Sequence, residues 1–178
     1  MLYRCLKNFK TKKFKKMRIP KFDKSIDDRS VKSKWLKVLQ KPNIVIFEGW
    51  CVGVSAQKNK DLKFPINKLE KHEDLKKIWR KKVNFELKKD YKKIFKFIDK
   101  LIFLKVPSFK YVLKWRMLQE QKLRITRRGK KIMTDKQIEN FVMYYERLTK
   151  HMLKTLNKKA NTVIYIDDKH RLKSIKFN

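Results

Sequence analysis

The stretch NIVIFEGW, residues 43–50, decides the fold class of this chain. Its four apolar residues, Ile44 to Phe47, follow one another without alternation, which is typical of a parallel strand covered on both faces. The run ends in Glu48 and Gly49. Because ligands bind at the carboxyl ends of parallel strands, a carboxylate here can hold Mg²⁺ or orient a nucleophile. Taken alone, a glutamate that caps a turn at Gly49 is the better explanation.

The rest of the chain alternates apolar strands with amphipathic helices. Two further strands are predicted at 101–106 (LIFLKV) and 162–167 (TVIYID). Apolar residues that recur every three or four positions predict helices over 73–98, 108–128 and 134–153, the last opened by the capping box T-D-K-Q. Strands separated by helices indicate an α/β fold with a parallel sheet.

The remaining segments have weaker patterns. Residues 1–18 are basic, with apolar residues near helical spacing, and are expected to form a short helix or a frayed lead-in. Residues 20–30 are predicted to be a loop, and 31–39 a short helix. Residues 51–72 show no clear period and contain Pro65, which predicts a long functional loop.

The charge of the chain is extreme but carried mainly by lysine. The 178 residues have a formal net charge of +34, and only ten of the 51 basic residues are arginine. A dedicated nucleic-acid surface would carry more arginine, because its planar fork suits phosphates and base edges. The lysines are also spread through every segment, so a compositional bias is favoured over nucleic-acid binding. The positive field would still attract small anionic substrates.

Cysteine, histidine and hydropathy patterns exclude several classes of protein. Cys5 and Cys51 lack the spacing of a disulfide framework or a metal knuckle, which fits a reducing cytoplasm. His72, His151 and His170 are scattered, and no metal spacing joins them. No apolar run approaches a membrane span, and the N-terminus lacks the apolar core of a secretory signal. We therefore expect one cytoplasmic domain without a membrane partner.

Six segments, taken in order, resemble the glycerate-kinase-like P-loop kinases and, more distantly, uridine kinases and phosphoribulokinases. They are PKFDKSIDDR (20–29), VIFEGWCVG (45–53), PINKLE (65–70), WRKKVNFEL with DYKKIFKFIDKLIFL (79–104), PSFKYVLKWRMLQEQKLR (107–124) and MTDKQIENFVMYYERLTKHML (133–153). The resemblance runs from Arg18 to the end of the chain. It implies a basic lead-in at 1–18 and, at 19–178, the C-terminal part of a P-loop kinase-like α/β domain with helices flanking a parallel sheet.

The resemblance also implies catalytic and nucleotide-binding residues. Glu48 is similar to the family's Walker-B-type acid and is the candidate catalytic residue and magnesium ligand. The segment with Arg116, Gln119, Glu120 and Arg124 looks like the mobile lid, whose two arginines close over nucleotide phosphates. Periodicity alone favours a solvated helix face on which Arg116, Glu120 and Arg124 pair.

The acceptor side of the site falls on the segment before residue 30. The resemblance implies a substrate-binding loop with five charged residues: Asp23, Lys24, Asp27, Asp28 and Arg29. A structural alternative is that the aspartates balance neighbouring lysines, and that Asp28 or Ser30 caps the helix expected from Val31.

One departure from the family concerns the phosphate-binding loop. A P-loop has the pattern G-x-x-x-x-G-K-[ST], and none of the three glycines, at 49, 53 and 129, begins or ends one. The resemblance implies that the P-loop strand lies in the middle of the sheet, so a fold without its N-terminal strands should have a gap. We expect the chain to rearrange, to form a homodimer or to receive the strands from an N-terminal polypeptide.

Three functions follow from these patterns. The first is the C-terminal portion of an ATP-dependent kinase that phosphorylates a hydroxyl of a small, anionic acceptor such as glycerate. It would use ATP and Mg²⁺ only if the P-loop segment is supplied, and would be inactive alone. The second is a basic nucleic-acid-binding or assembly module anchored through 1–18 and 121–131. The third is a non-functional remnant.

Overall fold

A computed structural model describes residues 1–23, 28–126 and 133–178, apart from the side chain of Thr126. The six helices in this part of the chain are α1 (Leu2–Lys10), α2 (Lys68–Glu73), α3 (Ile78–Glu86), α4 (Lys92–Phe95), α5 (Phe109–Thr126) and α6 (Asp135–Lys159). The seven strands there are β1 (Met17–Ile19), β2 (Phe22–Asp23), β3 (Asp28–Arg29), β4 (Leu36–Val38), β5 (Ile102–Lys105), β6 (Thr162–Ile166) and β7 (Leu172–Phe177).

The main sheet has the order β5-β6-β7. Strands β5 and β6 are parallel, with Phe103 opposite Val163, and the long helices α5 and α6 lie between them in sequence. The predicted α/β class with a parallel sheet and flanking helices is therefore confirmed. The tail was not predicted to be a strand, but it returns as β7, antiparallel to β6, with Ile164 opposite Ile175.

The hydrophobic core lies between this sheet and α6. It consists of Val54, Leu87, Phe103, Met152, Leu156, Ala160 and Val163. The capping box at the start of α6 is confirmed, since Gln137 donates its backbone N–H to Thr134 Oγ1 and Thr134 donates its own to Gln137 Oε1 at 2.8 Å. This cap satisfies backbone donors at the N-terminus of a helix whose buried face forms one side of the core.

The predicted helix over 73–98 is present in three consecutive pieces. Helix α3 continues into a π-helical turn, Leu87–Tyr91, and then into α4. Just before it, the predicted loop 51–72 contains an unpredicted short helix, α2, whose N-cap Asn67 accepts a hydrogen bond from the backbone N–H of Glu70. The only regular structure in residues 51–66 is a 3₁₀ turn at Asn59–Leu62.

The predicted helix over 31–39 is wrong. A 3₁₀ turn, Lys32–Lys34, leads into β4, which pairs antiparallel with β1 of the lead-in. Neither Asp28 nor Ser30 caps a helix, because the 3₁₀ turn begins at Val31 without a side-chain cap. The spacing of apolar residues in 31–39 indicated a helix. The hydrogen bonds between β4 and β1 favour a strand instead, and they depend on residues distant in sequence.

The strand predicted at 44–47 is also wrong, and its failure has a clear physical cause. Residues 44–49 have no regular secondary structure, and within the described part of the chain their backbone pairs with no neighbouring strand. Ile44 is 80% exposed and Ile46 is 86% exposed. A parallel strand needs hydrogen-bonding neighbours, so an apolar sequence alone does not make one.

None of the described helices is both long and apolar enough to cross a membrane.

The division into a lead-in at 1–18 and a domain at 19–178 stays a prediction.

Candidate functional site

A large cavity is lined by both the 44–49 segment and β5. Its volume is about 1130 Å³, and its lining includes residues 41–50, 97–104 and Val106. Helix α6 contributes Thr149, Met152, Leu153 and Leu156 to the lining. The remaining lining residues are Val52, Val112 of α5 and three residues of α1, Leu6, Phe9 and Lys10. Most of these side chains are apolar, so the cavity is an unfilled part of the hydrophobic layer.

Glu48 lies on the wall of this cavity, at the end of the apolar run. Its side chain is exposed, and within the described ranges no hydrogen bond or ion pair engages its carboxylate. A free, exposed carboxylate beside a cavity can accept a proton or bind a cation. The position therefore suits the catalytic role expected of Glu48.

The residues after Glu48 are held firmly against α6. The Trp50 ring stacks on Tyr145 with 4.5 Å between ring centroids, and Trp50 Nε1 donates a hydrogen bond to Thr149 Oγ1 at 3.0 Å. Gly53 has φ +80°, and a Cβ there would lie 2.9 Å from the Leu101 side chain. Glycine is needed at this turn because a residue with a side chain would be strained in this backbone conformation and would lie too close to Leu101, just before β5.

The candidate acceptor residues lie on a small hairpin. Strands β2 and β3 pair antiparallel, with Phe22 opposite Arg29 and Asp23 opposite Asp28. Asp28 and Arg29 are exposed, and Asp28 Oδ1 accepts the backbone N–H of Arg29 at 2.6 Å. Lys24 and Asp27 lie outside the described residues. No residue of β2 or β3 lines the cavity, so among the described residues the hairpin and Glu48 are not joined in one pocket.

The two candidate lid arginines take part in a network that joins α5 to the start of α6. Arg116 Nη1 pairs with Glu120 Oε2 at 2.6 Å and also donates to Gln119 Oε1. Arg124 Nη2 donates to Met133 O at 2.6 Å and to Asp135 Oδ1 at 2.9 Å. Both guanidinium groups thus have internal partners, and binding a phosphate would require an exchange of partners.

Glu120 is the centre of this network. Its carboxylate is buried, accepts the Arg116 guanidinium on one oxygen and the backbone N–H of Met133 on the other. Burial alone raises the pKa of Glu120, but the Met133 N–H and the charges of Arg116 and Arg124 hold it below its ordinary value. The carboxylate therefore stays charged and keeps the two helices together across residues 127–132, which lie outside the described residues.

A buried ion cluster, which sequence reasoning missed, fixes the long loop before α2. Arg147 of α6 binds both oxygens of Glu70, with Nη2 and Nε at 2.6 and 2.7 Å, and Arg80 Nη1 reaches Glu70 at 2.9 Å. Arg147 also donates to the carbonyls of Asp61 and Phe64. Although burial raises the pKa of Glu70, its hydrogen bonds and the Arg147 charge lower the pKa below its ordinary value. Among 51 basic residues, no sequence signal marked these two arginines as buried.

A second polar group joins residue 55 to α6. Ser55 Oγ lies 3.3 Å from His151 Nε2, and Lys159 Nζ donates to the same hydroxyl at 3.4 Å. Burial, followed by the positive charge of Lys159, lowers the pKa of His151 below its ordinary value. Nearby, burial raises the pKa of Cys51 to about 11, so this thiol is protonated and poorly nucleophilic near neutral pH.

The expected magnesium site is only partly supplied by the described residues. Within them, no cluster of three or more His, Cys, Asp or Glu side chains could hold a metal ion. Mg²⁺ at kinase sites is bound by one or two carboxylates together with substrate phosphates. Glu48 fits as one such ligand, but the chain contains no P-loop sequence to hold the phosphates. Binding of ATP and Mg²⁺ stays a prediction.

The comparisons with known proteins confirm the resemblance to the glycerate-kinase-like P-loop kinases. No family profile matches the chain. It is 29% identical over 150 residues to the chloroplastic D-glycerate 3-kinase of Arabidopsis thaliana, covering 82% of this chain and 30% of that protein. It is 34% identical over 149 residues to the uncharacterized kinase mug58 of Schizosaccharomyces pombe, covering 80% of this chain and 52% of that kinase.

The same class of protein appears among solved structures. The D-glycerate 3-kinase from Cryptococcus neoformans superposes with a TM-score of 0.76 at 22% identity, covering 99% of this chain and 65% of that one. At this identity the likeness shows the fold. The chain matches the C-terminal part of these proteins and spans between about a third and two thirds of their length.

Proposed function

We propose that this chain is the C-terminal portion of an ATP-dependent small-molecule kinase that phosphorylates a hydroxyl of a small, anionic acceptor. The observation that carries the proposal is the placement of Glu48, which lines a cavity of about 1130 Å³ and whose carboxylate has no partner among the described residues. Similarity in sequence and fold to D-glycerate 3-kinases supports glycerate as the first acceptor to test.

Each group of residues has a distinct role in this proposal. Glu48 binds Mg²⁺ or orients the acceptor hydroxyl, and the hairpin with Asp23, Asp28 and Arg29 contributes to the acceptor side. Arg116 and Arg124 exchange their internal carboxylate partners for nucleotide phosphates. Positive charge at that position stabilises the negative charge that develops on the transferred phosphoryl oxygens.

The activity requires the phosphate-binding residues that this chain does not contain. We therefore propose that the 178-residue chain alone transfers no phosphate, and that activity needs an N-terminal polypeptide which completes the site. A cytoplasmic location also stays a proposal, and one of the relatives is chloroplastic.

The test is an ATP-dependent D-glycerate phosphorylation assay on two samples. One is the isolated chain, and the other is the chain co-expressed with the N-terminal portion of the S. pombe kinase. Turnover is expected only in the second, and it should fall by at least about a hundredfold in Glu48→Gln. Glu73→Gln, another exposed glutamate, is the matched control and should keep full activity. Turnover by the isolated chain would contradict the proposal.

A specific surface supports a second candidate function, binding of single-stranded RNA. A shallow groove of about 540 Å³ is lined by five lysines, two asparagines, Leu62 and Phe85, with no acidic residue. The lysines are Lys60, Lys63, Lys77, Lys81 and Lys88. Nearby acidic groups are used internally: Asp74 accepts the backbone N–H groups of Trp79 and Arg80, and Glu70 lies in the buried cluster.

Phosphates could follow these lysines, while the exposed ring of Phe85 offers a surface for a base to stack on. Binding of a labelled single-stranded RNA should weaken steeply with added salt. Replacing Lys63, Lys81 and Lys88 with glutamine should weaken it more than the same change at Lys169, Lys173 and Lys176. Equal losses in the two triple variants would mean that affinity follows total charge, not this groove.

A further inference from the structure

One face of α6 carries polar side chains that lie beside residue 55 of the loop before α2. His151, Thr155 and Lys159 are spaced four residues apart, so they lie on the same side of the helix. The Ser55 hydroxyl oxygen is 3.3 Å from His151 Nε2 and 3.4 Å from Lys159 Nζ. Thr155 instead donates its hydroxyl proton to the carbonyl of His151, at 2.8 Å. Ser55, His151 and Lys159 thus form one polar group, which we call the Ser55 cluster.

The Ser55 cluster contains more hydrogen-bond donors than acceptors. The Lys159 ammonium group can only donate, and among the described residues no carboxylate pairs with it. When His151 is protonated, its Nε2 is also a donor only. The hydroxyl proton of Ser55 then has no acceptor within the cluster. An acceptor from outside the chain would complete these hydrogen bonds.

Solvent can reach the Ser55 cluster, and the positive charge around it is not balanced. Ser55 and His151 are half-buried, and Lys159 is exposed. The charged groups that act on His151 are Lys159 and Lys154 of α6 and Asp61 of the facing loop. Asp61 already accepts a backbone N–H at the start of its own 3₁₀ turn, at 3.3 Å. Two lysines against one aspartate leave a net positive charge beside Ser55, which favours the binding of an anion.

The Ser55 cluster lies outside the cavity beside Glu48, since none of its residues lines that cavity. Ser55 follows Gly53, where a Cβ would lie 2.9 Å from Leu101, the residue before β5. Lys159 is the last residue of α6, just before β6. The cluster is therefore near the N-terminal ends of β5 and β6, whereas ligands of parallel sheets usually bind at the carboxyl ends. A ligand there would not occupy the position expected for a phosphoryl-transfer substrate.

We propose that the Ser55 cluster binds a doubly charged oxyanion, either free phosphate or the phosphate group of a small molecule. Its oxygens accept the hydroxyl proton of Ser55 and N–H groups of His151 and Lys159. Hydrogen bonds between charged partners are stronger than neutral ones, so the anion gains more from these donors than a water molecule would. The proposal goes beyond the proposed function and does not depend on phosphoryl transfer.

The test is an NMR titration of the 178-residue chain with sulfate, which stays doubly charged at both pH 5.5 and pH 7.5. The chain has three histidines, so their ring signals can be assigned with His→Gln variants. Chloride at equal ionic strength is the control for screening. Sulfate, but not chloride, should shift the His151 signal to saturation, whereas the His72 and His170 signals should respond equally to both salts.

The binding of sulfate should also depend on pH. The pKa of His151 is lowered in the free chain, and a bound anion favours the protonated ring. Sulfate should therefore bind more tightly at pH 5.5 than at pH 7.5. In His151→Gln, followed through the backbone amide of Ser55, this preference for low pH should disappear.

Two neighbouring lysines of α6 provide a matched pair of variants. Lys159→Gln should weaken sulfate binding by at least about fivefold, because it removes a charged donor. Lys158 is also exposed but lies outside the Ser55 cluster, so Lys158→Gln should weaken binding by less than about twofold. Both changes are at the surface, and circular dichroism checks that each variant is folded.

Three results would overturn the site: an equal response of all three histidines to sulfate, equal losses in Lys158→Gln and Lys159→Gln, or sulfate binding that does not change with pH. Inorganic phosphate and phenyl phosphate, in separate titrations, then identify the source of the anion. A tighter fit of phenyl phosphate supports the phosphate group of a larger molecule, and a tighter fit of inorganic phosphate supports the free anion. If neither shifts the His151 signal, the proposal is wrong.

Discussion

Residues 44–47 and β5 have similar apolar sequences, IVIF and IFLK, but only β5 is a strand. Strand β5 is paired with β6 and packs Phe103 into the core, whereas residues 44–47 pair with no strand in the described part of the chain, and both of their isoleucines are at least 80% exposed. The difference teaches that an apolar run becomes a strand only where a neighbour completes its hydrogen bonds. The β5 side of the comparison is therefore a complete strand, whereas residues 44–47 have no strand to pair with among the described residues.

The largest expected effect is the loss of the ion cluster that fixes the long loop before α2 against α6. Arg147→Met leaves the carbonyls of Asp61 and Phe64 and half of the Glu70 interactions without a partner. We expect the free energy of unfolding to fall by about 3–5 kcal/mol, as for other buried pairs that lose one member. Urea denaturation measures this. Lys82→Met, which removes an exposed pair with Glu86, should cost less than about 1 kcal/mol. Similar values for both would mean that the cluster does not stabilise the fold.

Large-to-small substitutions compare the packed core with the exposed 44–49 segment directly. Leu156 is almost completely buried in the core cluster, so Leu156→Ala should lower the free energy of unfolding by about 2–5 kcal/mol. Ile46→Ala should change it by less than about 0.5 kcal/mol, because Ile46 has little packing to lose. The same denaturation experiment serves both variants. A large loss in Ile46→Ala would show that the 44–49 wall is packed in solution.

The turn at Gly53, between the 44–49 segment and the core residue Val54, should show a smaller effect. Gly53→Ala places a Cβ at φ +80° and against Leu101, so we expect a loss of about 1–2 kcal/mol. Gly49→Ala is the control, since Gly49 has no positive φ and its new Cβ would meet only the Val52 side chain at 3.0 Å. Thermal unfolding of the two variants should rank them in that order, and the opposite rank would contradict the assigned role of Gly53.

The smallest expected effect is a pH dependence from His151. Its pKa is lowered in the folded chain, so the unfolded chain binds the proton more readily. Stability should therefore fall as the pH drops below about 6.5, the ordinary histidine pKa, towards the lowered value. His151→Gln should remove this part of the pH dependence in urea titrations at pH 7.5 and 5.5, whereas His72→Gln should preserve it. An unchanged slope in His151→Gln would refute the assignment.

Much of the fold could be predicted from the sequence because it depends on local patterns. The capping box at Thr134, the period of α5 and α6, and the apolar runs of β5 and β6 are all readable along the chain. The failures occur where a distant partner decides the outcome: β4 forms because β1 pairs with it, and 44–47 remain irregular because no strand does.

The candidate site was only partly predictable for the same reason. Glu48 is recognisable because it follows an apolar run and precedes a glycine. The cluster of Glu70, Arg80 and Arg147 joins residues far apart in sequence, and nothing local distinguishes its arginines from those at the surface. The partners of Arg116 and Arg124, by contrast, are close to them in sequence: Glu120 is four residues from Arg116, and Asp135 is eleven from Arg124. Spacing along the chain can suggest such pairs.

The most direct test of the unpaired state of residues 44–47 is amide hydrogen exchange, followed residue by residue in the isolated chain and in the chain co-expressed with the N-terminal portion of the S. pombe kinase. In the isolated chain, we expect Ile44–Phe47 to exchange as fast as an unstructured peptide, while Val163 in β6 is protected. In the complex, the amides of Ile44–Phe47, Ile102 and Leu104 should become protected and that of Val163 should stay so. Strong protection of Ile44–Phe47 in the isolated chain, or no gain in the complex, would contradict the account.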